Sequence, residues 1–312
     1  MQCTSPYDGY RAVEGGLSAS KGKAYGDLPL TVRCGRCMGC RIHRSYVWAI
    51  RCTHEASLYD NNIFATFTYS DEHLPFGETL VRDHMPAFFK RLRKTNLNLR
   101  MFYCGEYGGL TNRPHYHALI FNYKPSDSEH FTTRDGTPVY NSQKLTETWG
   151  MGNTEFGNVT FESASYTAGY ITKKINGDRA EDHYQWIDPD TGQIIDRLPE
   201  FQGQSLRPGI GHNWIKQYCS DVYPRDLLVI NGRKVRPPRF YDQYCEKHHP
   251  DLWAETVKRR KEQYKTKIIE RENGQKAVKN HRDPNEYYGT GRQMIAKNKI
   301  ILSKQRDREP DK

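Results

Sequence analysis

Two apolar segments joined by a short glycine-rich connection place the strongest constraint on the fold. Residues 100–106 (RMFYCGE) and 115–123 (HYHALIFNY) carry the aromatic and aliphatic side chains typical of β-strands. The connection over residues 108–114 (GGLTNRP) is short enough to turn the chain back on itself. The sequence therefore predicts two antiparallel neighbours in a sheet.

Other periodic segments add strands and helices to this hairpin. Strands are predicted at residues 63–69 and 157–161, and an Asn-Gly pair predicts a hairpin over 227–235. Helices are predicted over residues 41–59 and after Asp83. The fold class that follows is α+β, a central antiparallel sheet with flanking helices.

Composition divides the chain into three parts. We expect residues 1–60 to hold an N-terminal arm, a cysteine cluster and a helix, with loop or extended chain over residues 1–30. Residues 61–245 are expected to form the central domain. Residues 246–312 read as a basic, charged extension that is helical in pattern.

Charge and aromatic content indicate the kind of partner. The 312 residues carry a net charge of +10 and include 21 Tyr, and such a basic, aromatic-rich surface fits a nucleic acid. No segment approaches the roughly 18 apolar residues of a membrane span. We therefore expect a cytoplasmic protein without a membrane partner, whose eight cysteines are reduced and serve as metal ligands or core residues.

A metal site is predicted in the hairpin. His115 and His117 are two residues apart in a strand, so both imidazoles point the same way and can meet one ion. Glu106 ends the preceding strand and comes alongside them. Two imidazoles and a carboxylate leave positions open for water and phosphate oxygens, and Mg²⁺ or Mn²⁺ suits these ligands. Buried structural histidines are the alternative.

A second motif places two tyrosines and two lysines on one helix face. Tyr166, Tyr170, Lys173 and Lys174 follow one another at i, i+4, i+7 and i+8. Ionising a tyrosine at pH 7 costs roughly 4 kcal/mol, which adjacent lysines and a polarised phosphate would offset. Lys173 is within reach of a pentavalent phosphorane. The pattern predicts tyrosine nucleophiles acting in relay on DNA, with Tyr170 favoured if only one reacts; simple aromatic packing is the alternative.

Together these motifs resemble the histidine-hydrophobe-histidine (HUH) endonucleases with two tyrosines, and more closely the replication initiators of microviruses. The resemblance covers most of the chain. It rests on Arg-Pro-His-Tyr-His, on Tyr-x3-Tyr-x2-Lys, and on segments 34–40, 104–108, 207–211 and 237–241.

The resemblance implies an HUH endonuclease fold and a rolling-circle function. By resemblance, Glu106, His115 and His117 bind the catalytic metal, and Tyr166 and Tyr170 are the nucleophiles. Such an enzyme nicks the origin of supercoiled or single-stranded circular DNA, leaves a 5′-phosphotyrosyl bond and a free 3′ hydroxyl, and later rejoins the strand.

The cysteine spacing predicts a second, structural metal site. Three soft ligands stand two residues apart: Cys34, Cys37 and Cys40. A tetrahedral Zn²⁺ needs a fourth ligand, for which Cys3 is favoured over His43 and Cys52. Iron–sulfur ligation and plain reduced cysteines are the alternatives. We predict a zinc-knuckle-like arm.

Two further functions remain open on the sequence. The chain could be a zinc-containing nucleic-acid-binding protein whose tyrosines stack on bases, or a transposase or relaxase of the same superfamily. Residues 16–23 do not have the spacing of a phosphate-binding loop. We therefore expect a host helicase and a host DNA polymerase as partners.

Overall fold

The computed structural model describes residues 3–13, 16–109, 111–170, 179–188 and 191–263. The chain forms two compact units, one from residues 1–44 with the segment that starts at 254, the other from residues 45–253. Within the described ranges, no helix is both long and apolar enough to cross a membrane. The three-part division at residues 60 and 245 stays a prediction.

Backbone pairing in a small sheet shapes the first unit. Its strands are β1 (Tyr7–Ala12), β2 (Leu17–Ser18) and β3 (Ala24–Val32), and β1 lies between the other two in antiparallel pairing. The expectation of loop or extended chain over residues 1–30 is therefore wrong. These strands lack an alternating apolar face, and their register shifts after Tyr10, so no two-residue period marks them in the sequence.

A seven-stranded antiparallel sheet forms the centre of the second unit. Its strands and the hairpin inserted before the last one are β4 (Asn62–Thr68), β5 (Arg100–Tyr107), β6 (Pro114–Phe121), β7 (Glu129–Arg134), β8 (Thr137–Asn141), β9 (Thr154–Asn158), β10 (Gln185–Ile187), β11 (Ile194–Asp196) and β12 (Phe201–Gln204). The sheet order is β12-β5-β6-β4-β9-β8-β7, while β10 pairs only with β11.

Helices and one more hairpin complete the described elements. The helices are α1 (Met38–Ala56), α2 (His84–Leu92), α3 (Gln143–Trp149), α4 (Phe161–Gly169), α5 (Arg179–Tyr184), α6 (His212–Val222) and α7 (Arg239–His248), followed by a helix over residues 250–263. The last hairpin pairs β13 (Leu228–Ile230) with β14 (Arg233–Val235).

The two faces of the large sheet have separate apolar cores. On one face, Phe67 and Tyr116 pack with Trp149 and the residues of α2. On the other face, Phe102 and Leu119 pack against small residues of α1 and α4. Alternation along each strand sends successive side chains to opposite faces, so one strand contributes to both cores.

The predicted α+β class is confirmed, and so are both hairpins. β5 and β6 pair in antiparallel fashion from Arg100 to Tyr107, and the Asn231-Gly232 turn joins β13 to β14 with positive φ angles of 47° and 72°. The strand predicted at residues 157–161 is wrong beyond Asn158. Thr160 caps α4 there, with its hydroxyl accepting a hydrogen bond from the amide of Ser163.

Candidate metal centre and tyrosine helix

Strand register brings Glu106, His115 and His117 to one point. Glu106 lies opposite His115 across the β5–β6 pair, and His117 follows on the same face. Glu106 Oε1 is 2.6 Å from Nε2 of His115 and 3.1 Å from Nε2 of His117. The three possible ligand atoms lie within 4.8 Å of one another, close enough to hold a single ion.

Backbone and side-chain oxygens orient the two imidazoles. Nδ1 of His115 lies 3.2 Å from the carbonyl oxygen of Arg113, and Nδ1 of His117 lies 3.1 Å from the hydroxyl of Thr66. A carbonyl oxygen only accepts, so Nδ1 of His115 carries a proton and Nε2 of the neutral ring presents its lone pair towards Glu106. Contacts of this kind fix the ligand rings in metal sites.

The carboxylate is held in its charged form. Glu106 is only 3% exposed, and burial raises the pKa of its carboxyl group. Hydrogen bonds from His115 and His117 outweigh this effect and lower the pKa of Glu106 to about 2. The group is therefore anionic at neutral pH, as a metal ligand must be.

Sequence reasoning missed Thr66. The residue lies in β4, which pairs with β6 so that Thr66 stands opposite His117. The sequence predicts a strand here but not its register against β6. A short polar residue at a buried position of an otherwise apolar strand was the one available signal.

The tyrosine helix lies against the same histidine. The ring of Tyr170 stacks on that of His117 with centroids 5.2 Å apart and planes 7° apart. The ring of Tyr166 meets His117 edge-on at 5.3 Å, and the two tyrosine rings are 4.6 Å apart. Both predicted nucleophiles therefore stand beside the possible metal ligands.

The two tyrosines differ in access. Tyr170 is 2% exposed, and burial together with the charge of Glu106 raises its pKa well above the ordinary value. Tyr166 is half-buried. Lys173 and Lys174, which favoured Tyr170 in the sequence analysis, lie outside the described residues. The burial of the two rings favours Tyr166 as the more accessible group.

Four cysteines of the first unit form a second cluster. Sγ of Cys3 is 3.4 Å from that of Cys34 and 3.7 Å from that of Cys37, and Sγ of Cys34 is 4.0 Å from that of Cys40. None of the four is in a disulfide. All four sulfur atoms lie within 4.8 Å of one another, a spacing that could hold one ion.

The structure brings Cys3, rather than either alternative, to this cluster. Cys52 is fully buried in the core of the other unit, and His43 is not among the grouped ligands of the described residues. Burial raises the pKa of the Cys37 thiol, but hydrogen bonds from Thr4 and the amide of Cys40 lower it to about 5. A thiol that ionises readily favours metal binding.

Comparison with known proteins agrees with this geometry. A profile of the replication-associated protein family of the ORF2 type matches residues 62–175, which contain both motifs. The chain is 34% identical to replication-associated protein VP4 of Bdellovibrio phage phiMH2K over 267 residues, 82% of this chain and 80% of that protein. It is 28% identical to replication-associated protein ORF2 of Spiroplasma virus 4 over 275 residues, 83% and 80% of the two chains.

The fold and the two motifs define a phage replication-associated protein. The chain belongs to this family, and within it to the replication initiators of the microvirus type. The resemblance given by the sequence is thus confirmed. No solved structure matches the chain significantly.

We expect Thr66→Val to weaken Mn²⁺ binding by about 10–100-fold, because the imidazole of His117 loses the group that orients it. Isothermal titration of the purified protein measures the affinity. Thr68→Val is the matched control, since the Thr68 hydroxyl bonds to the carbonyl oxygen of Asn153 and not to an imidazole. Equal affinities for the Thr66 variant and the unmodified protein would contradict this role.

Zinc is expected to copurify at about one equivalent and to be lost in Cys37→Ser, with a lower melting temperature and no selective loss of chemistry. Elemental analysis and thermal melting test this. Cys245→Ser removes a buried thiol outside the cluster and keeps the metal. Iron in place of zinc, or no metal at all, would show that the zinc assignment is wrong.

Proposed function

We propose that the protein initiates rolling-circle replication by nicking one DNA strand at the origin through a tyrosine nucleophile. The observation that carries the proposal is the contact of Tyr166 and Tyr170 with His117, whose Nε2 lies 3.1 Å from Glu106. A nucleophile beside a cluster of metal-ligand atoms is the arrangement that phosphodiester exchange requires.

The donor set suits a hard divalent cation with open positions. Two imidazole nitrogens and one anionic carboxylate leave room for phosphate oxygens, and Mg²⁺ or Mn²⁺ fits such mixed ligands. When bound, the ion would polarise the scissile phosphate. Thr66 and the carbonyl oxygen of Arg113 would keep the two histidine rings in place for it.

The reaction exchanges one phosphodiester for another. The tyrosine oxygen attacks phosphorus and forms the new P–O bond, while the bond from phosphorus to the 3′ oxygen breaks. The phenol gives up a proton and the leaving 3′ oxygen gains one. The products are a 5′-phosphotyrosyl bond and a free 3′ hydroxyl, and because little bond energy is lost the same site can rejoin the strand.

Access to the two rings sets their order in the proposal. Tyr166 makes the first attack because its side chain is half-buried, while Tyr170 is 2% exposed and acts when the covalent end must be passed on. Lys173 would stabilise charge on the phosphoryl group, as its helical spacing from Tyr170 predicts.

The free 3′ hydroxyl determines the partners in the proposal. It is a primer for a host DNA polymerase, and a host helicase would separate the strands ahead of it. The setting that we propose is the cytoplasm of a bacterial host, with a supercoiled or single-stranded circular DNA as substrate.

His117→Ala is expected to abolish nicking of supercoiled circular DNA in Mn²⁺, because it removes a ligand that also contacts both tyrosines. DNA binding should persist, since most binding energy comes from phosphate contacts. Conversion of supercoiled to open-circular DNA on a gel measures the reaction. The control is His130→Ala, an exposed histidine on the edge strand β7. Undiminished nicking by His117→Ala would rule out the proposed metal centre.

Substitution of the tyrosines separates relay from single use. Tyr166→Phe and Tyr170→Phe keep the rings and remove only the hydroxyl groups. We expect the double variant to form no covalent adduct with single-stranded DNA, and Tyr166→Phe to lose more of the first cleavage than Tyr170→Phe. A denaturing gel with end-labelled DNA detects the adduct. A larger loss in Tyr170→Phe would reverse the proposed order.

A further inference from the structure

The β13–β14 hairpin concentrates positive charge at an exposed turn. Between residues 225 and 239 the chain has five basic residues, and Asp226 is the one acidic residue. The basic residues are Arg225, Arg233, Lys234, Arg236 and Arg239, and all five are exposed. This is a denser run of one charge than a solvated surface hairpin needs.

These charges are not used by the fold. Among the described residues, the side chains of Arg233, Lys234 and Arg236 make no ion pair and no hydrogen bond. The arginines of the sheet behave differently, because Arg134 forms a two-point ion pair with Glu155 and others hold backbone carbonyl oxygens. The hairpin therefore presents uncompensated charge to a partner.

The hairpin lies next to the tyrosine helix. Nδ2 of Asn231, at the turn, is 3.5 Å from Oε1 of Glu162 in the first turn of α4. Tyr166 follows Glu162 by four residues, or about 6 Å along the helix axis. Side chains of a helix lean towards its N-terminus, which brings the Tyr166 ring towards the hairpin side.

The shape of the hairpin is also fixed. Leu228 and Ile230 are buried in the cluster formed by α6 and α7, and the Asn-Gly turn takes the positive φ angles that such a tight connection needs. On the outer side, Val229 lies opposite Lys234 and is 63% exposed. A rigid two-stranded ribbon with a basic outer side has the dimensions that fit the major groove of duplex DNA.

We propose that the β13–β14 hairpin binds the phosphate backbone of duplex DNA next to the strand that is nicked. This inference rests on the proposed function, and it adds a contact that holds the unreacted duplex beside Tyr166. Lys234 and the arginines on either side would contact phosphates, and Val229 would lie against the groove.

The test removes three charges and measures the salt dependence of binding. Arg233→Gln, Lys234→Gln and Arg236→Gln are combined, and binding to a fluorescein-labelled duplex of roughly 30 base pairs, about three helical turns, is followed by anisotropy. Each lost phosphate contact lowers the slope of log K against log salt by about 0.9, so the slope should become shallower by about 2 to 3. EDTA is present throughout, so no cleavage contributes.

The matched control removes the same charge elsewhere. Lys90→Gln, Lys94→Gln and Lys124→Gln neutralise three exposed lysines, two of them in or next to α2, which packs on the sheet face opposite α4. The control should keep the slope of the unmodified protein. An equal change in both triple variants would mean a general charge effect and would overturn the proposal.

Two further variants keep the test decisive. Arg233→Lys with Arg236→Lys retains the charge and should retain the slope, and Lys234→Gln alone should lower it by about 0.9 even if the triple variant melts early. An unchanged duplex slope, or a change seen only with one labelled single strand, would overturn the proposal. Because binding is measured without metal, a protein that fails to nick but shows the expected slopes would disprove the nuclease and leave the hairpin contact standing.

Discussion

The pairing of β6 with β5 on one side and β4 on the other is the constraint on which the candidate site depends. Register across β5 places Glu106 opposite His115, and register across β4 places Thr66 opposite His117. A shift of one residue in either pair would send these side chains to the other face. The opposite face is an aromatic core, so a shifted register would also bury polar groups there. Packing of the core thus enforces the geometry of the site.

Sequence patterns located the site but not all of its parts. The glycine-rich connection between β5 and β6 and the two-residue spacing of the histidines are local features, so they could be read from one segment. Thr66 and the position of α4 over His117 depend on pairings between segments far apart in the chain. The difference in burial between Tyr166 and Tyr170 has the same origin, since helical spacing shows which residues share a face but not how deeply each one lies.

The errors have similar physical causes. The N-terminal strands β1, β2 and β3 pair through their backbones and carry few alternating apolar residues, so the sequence reads as loop. At residues 157–161 the β-branched Val159 and Thr160 favour a strand, but Thr160 is used to cap α4. Capping by a β-branched hydroxyl residue and strand propensity give the same letters, and only the tertiary structure separates them.

The place of β6 and β4 in the sheet has a consequence for how the site can move. They are the third and fourth of seven strands, with hydrogen-bonded neighbours on both sides. Central strands exchange their amide hydrogens only when a whole domain opens, whereas a helix on the surface of a sheet can open by itself. The histidines therefore belong to the most slowly opening part of the second unit, and α4 to a part that can separate from it. The tyrosines could then change position against ligands that stay fixed, which is the mechanical condition for passing a covalently held DNA end from one residue to another.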